Sequence, residues 1–171
     1  MESGVYLSSE KVDIWFLRWI GFLLSWRFPV HTKLFVKLVC SGYCFKLELT
    51  SDKPTKQTRT VGEGDGYTIQ ITRVEEKDIQ GQLVPNCDPL EAMVAAEEYA
   101  SVRNGNYNYY SVERSWYDEP QGCGGPMFDR CTCNTFTSYV LKKSLISGEI
   151  PPKPAGALGW GQTPKFPGPS L

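Results

Sequence analysis

The chain has 171 residues, a near-balanced charge (18 Lys+Arg against 19 Asp+Glu, formal net −1) and 41% hydrophobic residues, with 8 Phe, 9 Tyr and 5 Trp. That length suits one domain with a core of its own, and the aromatic content excludes a disordered or low-complexity chain. Without a basic excess, electrostatic binding to a nucleic-acid backbone or an anionic membrane surface is not expected.

In chain order, Met1-Glu2-Ser3-Gly4 shows no positive region ahead of an apolar stretch, so no secretory signal is expected. Residues 5–8 read as a short edge strand. Residues 11–25 read as a helix, or a helix and a loop, interrupted by Gly21 and stopped by Pro29. The apolar run at 15–26 holds Arg18 and lies between Asp13 and Arg27, too short and too interrupted to cross a bilayer. Residues 32–40 alternate, with Leu34, Val36 and Leu38 on one face and Lys33, Phe35 and Lys37 on the other. By that parity His31 falls with Lys33, unless a kink after Pro29 intervenes. Ser41-Gly42-Tyr43 is the turn, and residues 45–49 return as the second strand of a hairpin. Residues 51–60 are polar and contain Pro54, so a loop is expected. Gly62-Glu63-Gly64-Asp65-Gly66 reads as a flexible turn, since it lacks the residues of a phosphate or calcium loop. Residues 67–74 alternate again and are read as the third strand of a meander.

Asp88-Pro89-Leu90-Glu91 is a helix start, with Asp88 as cap and Pro89 at the first helical position. The helix should run to Arg103, with Leu90, Met93, Val94 and Tyr99 on its buried side, and end at Asn104-Gly105. An aromatic segment with Tyr107, Tyr109 and Tyr110 follows, then a Gly- and Pro-rich loop over 115–130. A second helix should begin at Cys133 or Asn134 and run to Ser144. Phe136, Tyr139 and Val140 would face the core, and Lys142 and Lys143 would complement the dipole in the last turn. These elements predict an α+β fold: an antiparallel meander packed on two main helices. Residues 1–150 form the domain, and residues 151–171 form an extended Pro/Gly-rich arm held on it by Leu158, Trp160 and Phe166.

Six cysteines lie at 40, 44, 87, 123, 131 and 133, in a chain large enough to need no disulfides, so a reducing compartment is expected. The cytoplasm is the default location, with non-classical secretion left open. Cys133 stands at a helix start after a glycine-rich loop. The free amides and dipole there stabilise a thiolate and can receive an oxyanion. A nucleophilic cysteine needs a base, and His31 is the only histidine in the chain. One histidine cannot build a multi-histidine metal centre. A soft set of Cys123, Cys131, Cys133 and His31 lacks the usual zinc spacing, so neither metal nor cofactor is expected. An acid to orient His31 should lie on the return strand. If Cys40 opposes Tyr43, His31 faces Asp52; a slip or bulge brings Glu48 nearer.

The segment Cys131-Thr132-Cys133-Asn134-Thr135-Phe136-Thr137-Ser138-Tyr139-Val140-Leu141 resembles the nucleophile segment of circularly permuted papain-like proteins, a group that includes NlpC-related, lecithin:retinol acyltransferase-like and PPPDE-like enzymes. The order His31 before Cys133 is similar to theirs, and so is Leu47-Glu48 on the return strand. The tail Ala155-Gly156-Ala157-Leu158-Gly159-Trp160-Gly161 resembles the ending of some bacterial members. The resemblance implies a thiol hydrolase or acyltransferase acting on an amide, isopeptide or ester bond. Cys133 would be the nucleophile, His31 the base and Glu48 the orienting acid, and the substrate a peptide, protein or lipid acyl group. The alternative is a non-enzymatic interaction or structural protein on the same scaffold, docking a partner through the Tyr107–Tyr110 stretch or the C-terminal arm.

Overall fold

The computed structural model describes residues 2–11, 30–64, 67–103, 133–157 and 160–161. Period-two sequence gives six antiparallel strands: β1 (Gly4–Lys11), β2 (Val30–Lys37), β3 (Cys44–Thr50), β4 (Thr58–Gly64), β5 (Tyr67–Val74) and β6 (Gln82–Val84). They form one sheet in the order β4-β5-β3-β2-β1-β6. Among the described residues, two α-helices, α1 (Pro89–Arg103) and α2 (Cys133–Ser144), pack on it, so the fold is α+β as expected.

The three strands read as a meander are neighbours in that order, β2-β3-β5, and β1 precedes them; the departures are β4, an unexpected edge outside β5, and β6 beyond β1. The segment expected as a loop thus contains the start of a strand, from Thr58, which continues through Gly62 to Gly64 with an irregularity between Thr60 and Gly62. Glycine and threonine there hid it, because neither marks a buried face. Residues 65 and 66, the rest of the expected turn, lie outside the described residues. β1 is longer than expected and is no edge, since β6 pairs with its Val5–Leu7 stretch. The chain reaches β6 through Gly81, whose positive φ of 95° is accompanied by a close approach: a Cβ there would stand 2.1 Å from the Leu7 carbonyl oxygen.

One face of the sheet carries Val5, Leu34, Val36, Leu47, Leu49, Ile69 and Ile71, all buried against the helices. The other face is not purely polar: Tyr6, Phe35, Cys44 and Ile79 form a smaller buried cluster. α1 starts as the sequence predicts. Asp88 Oδ1 accepts hydrogen bonds from the amides of Leu90 (2.7 Å) and Glu91 (3.2 Å). Its buried face differs, however. Leu90 and Val94 are 62% and 54% exposed, while Ala92, Ala95, Ala96, Tyr99 and Ala100 are buried. The i, i+3, i+4 spacing of the alanines defines that face, and their small side chains let the helix lie close to its neighbours. Tyr99 packs edge-on against Phe136 and Tyr139 of α2, with ring centroids 5.3 and 5.2 Å away.

α2 has the bounds and the core face expected, with Phe136, Tyr139 and Val140 buried and Lys142 and Lys143 exposed. Its burial extends further, to Asn134, Thr135, Thr137 and Ser138. Of the C-terminal arm, Ala157 is fully buried, Trp160 packs half-buried on the core, and the Gly156 carbonyl accepts from the Val30 amide at 3.2 Å. The expected helix at 11–25 (Lys11 itself ends β1), the stretch with Tyr107, Tyr109 and Tyr110, the loop at 115–130, and Cys123, Cys131, Leu158 and Phe166 lie outside the described residues, apart from Lys11.

Candidate active site

The β2–β3 hairpin sets the site. Leu38 and Tyr43 close it, with the Leu38 amide donating to the Tyr43 carbonyl at 2.9 Å. The ladder then runs Lys37 with Cys44 through Leu34 with Leu47. Carried on, this register puts Lys33 beside Glu48 and His31 beside Thr50. The expected pairing of Cys40 with Tyr43 is therefore off by two residues, because the connection is longer than a tight turn. An even shift preserves which face each side chain takes. It moves Asp52 past His31 and brings Glu48 onto the diagonal, a separation that His and Glu side chains span.

The outcome is a His31 Nε2 to Glu48 Oε1 contact of 2.8 Å, with the two side chains only 13% and 7% exposed. Asp52 is exposed and has no role at the ring. Its amide donates to Thr50 Oγ1 and its carbonyl accepts from Gln70. Burial alternates along β2 through His31: Val30, Thr32, Leu34 and Val36 are buried, while His31, Lys33 and Lys37 are half-buried. The ladder with β1 runs unbroken from Lys11–Val30 to Gly4–Lys37, so no kink intervenes.

The start of α2 is clamped to the start of β2 by three fully buried polar residues. Thr32 Oγ1 donates to Asn134 Oδ1 at 2.8 Å, and Thr137 Oγ1 donates to the Thr32 carbonyl at 3.2 Å. One residue back along each element, the Cys133 thiol lies beside the His31 ring, close enough to act on its proton affinity. The thiol also lies 3.6 Å from Asn134 Oδ1. Thr32, Asn134 and Thr137 were not singled out as site residues from sequence. The available signal was Thr32 itself, a hydroxyl on the apolar face of an alternating strand, which has to find a buried partner.

Electrostatics follow from this packing. Burial alone would lower the His31 pKa, but the neighbouring Cys133 and Glu48 outweigh it and raise it from 6.5 to about 9. Burial likewise would raise Glu48, but its bonds to His31 and Lys46 hold it down at about 2. Lys46 Nζ stands 2.5 Å from Glu48 Oε2, so the carboxylate is gripped at both oxygens. Of the other described cysteines, Cys44 and Cys87 are buried and their thiols are pushed up by burial, while Cys40 is exposed.

No family model, curated protein or solved structure matches the chain. The described residues bring Cys133, His31 and Glu48 together in the order sulfur, imidazole, carboxylate. They hold no group of three or more His, Cys, Asp or Glu side chains arranged to bind a metal ion. Among them, no helix is long and apolar enough to cross a membrane.

Proposed function

We propose that the protein is a thiol hydrolase or acyltransferase with Cys133 as nucleophile, His31 as its acid–base partner and Glu48 as the orienting acid. The observation that carries this reading is the single imidazole held between a buried carboxylate and a sulfur at a helix N-terminus. That relation, with the histidine strand ahead of the cysteine helix, is the one that the resemblance to permuted papain-like proteins implies. A ring whose pKa is about 9 is an imidazolium at neutral pH, and it stands beside the sulfur that the reaction would use as a thiolate. The sulfur would add to the carbonyl carbon of an amide or ester. Amides of the first turn of α2 would receive the oxyanion. The imidazolium would give its proton to the leaving nitrogen or oxygen as that bond breaks, leaving a thioester on Cys133. The now neutral ring would then take a proton from water, or from an acceptor alcohol or amine, as it attacks and frees the sulfur. These steps use only side-chain and backbone groups of the chain, and a reduced thiol suits the cytoplasm.

The test is intact-mass detection of an acyl adduct after incubation with activated esters and amides of peptide and lipid acyl groups. An adduct mapped to Cys133 that decays with time, and is absent from Cys133→Ala, is the expected result. Labelling confined to Cys40 would contradict it. A second reading rests on a specific observation: Cys133 is fully buried. A sulfur that no substrate reaches would belong to a polar clamp between α2 and β2, and the protein would then be an interaction or structural module on this scaffold.

A further inference from the structure

The carboxylate that orients His31 has a second partner that the proposed chemistry does not use. Glu48 presents Oε1 to His31 Nε2 at 2.8 Å and Oε2 to Lys46 Nζ at 2.5 Å. Lys46 and Glu48 lie two apart on β3, so they share a face, and the lysine is 26% exposed while the carboxylate is 7% exposed. A carboxyl group held at one oxygen can rotate about its last torsion, which is broad and soft. Held at both, it offers the imidazole one fixed lone-pair direction.

We propose that Lys46 is a positioning residue of this site, acting through Glu48 to fix the bond that sets the orientation and proton affinity of His31. The inference rests on the Cys133–His31–Glu48 reading and extends it by one residue. Among the described residues, the charged and titratable groups around His31 are Glu10, opposite it on β1 and ion-paired with Lys33; Glu48 and Lys46 on β3; and Cys133 on α2. Lys46 is the member of that set that touches the orienting acid from outside.

Two roles for Lys46 move His31 in opposite directions, which makes the proposal testable. As a merely nearby cation, Lys46 would oppose the imidazolium, and its removal would raise the His31 pKa. As the group that fixes Glu48, its removal loosens the Glu48–His31 bond and lowers that pKa. His31 is the only histidine in the chain, so its ring resonances can be assigned without ambiguity. The experiment is an NMR pH titration of the His31 ring in full-length wild type, Lys46→Met and Lys46→Arg, with folding checked by circular dichroism. The expected result is a downward shift of about one pH unit in Lys46→Met and near wild-type behaviour in Lys46→Arg. An unchanged or raised value in Lys46→Met, or a failure of Lys46→Arg to restore it, would overturn the proposal. The outcome is independent of whether Cys133 acylates: a lowered His31 pKa with no Cys133 adduct would sink the enzyme reading and leave the role of Lys46 at the imidazole standing.

Discussion

At the scale of single residues, the site is a balance between burial and pairing. His31 and Glu48 are each penalised by desolvation in their charged forms, and each is held charged by its neighbours. Such a pair adds to stability only where both partners are ionised. For His31 the folded-state pKa is above the ordinary value, so its contribution is complete below 6.5 and is lost as pH rises through about 9. For Glu48 the folded-state pKa is depressed, so its contribution is complete above 4.5 and is lost as pH falls through about 2. Both are therefore complete between 4.5 and 6.5. The melting temperature of wild type should exceed that of His31→Gln by most near pH 5.5, and the gap should close by about pH 10. Thermal melts of the two proteins across that range check this, and a gap that widens toward alkaline pH would be incompatible with a charged His31.

At the scale of elements, two short polar devices hold the arrangement: the cap on α1 and the clamp between α2 and β2. Asp88 takes two orphan amides of α1, and its own carbonyl accepts the Ala92 amide at 3.1 Å. The neighbouring Asp88 amide donates to the Ser144 carbonyl at 2.8 Å, at the end of α2. The cap thus ties the start of one helix to the end of the other. Asp88→Ala should cost about 1 kcal/mol in denaturant unfolding, and Asp88→Asn should cost less, because an amide oxygen still caps. Equal stability of Asp88→Ala and wild type would mean that the two bonds contribute nothing net. The clamp works differently. Thr32, Asn134 and Thr137 are buried without charge, and they set the relative position of the two residues, His31 and Cys133, that precede them on strand and helix.

At the scale of the whole molecule, the legible parts were those written in periodicity. Strands β2, β3 and β5 and the bounds of α2 follow from alternation or from helical spacing, and α1 from its Asp-Pro start. Sheet order was legible in part: β5 follows β3 as the third strand of the meander, whereas β4 outside β5 and β6 beside β1 carry no alternating apolar pattern that would place them. The alanine face of α1 was hidden because leucine and valine outweigh alanine in any hydrophobicity reading, although here they point outward. Within the site, Cys133, His31 and Glu48 could be named from residue type and position. The choice between Glu48 and Asp52 could not, since it depends on how many residues close the β2–β3 turn. Lys46 was invisible for the reason that lysines on strands are mostly solvated. The whole account stands on Cys133 and His31 acting as one unit, and the most direct measurement is site-mapped alkylation near neutral pH, with exposed Cys40 as the internal reference. The Cys133-to-Cys40 rate ratio should fall by about tenfold or more from wild type to His31→Ala in a chain that still folds. A ratio unchanged by the loss of His31 would show that the imidazole does not activate the sulfur, and would contradict the account.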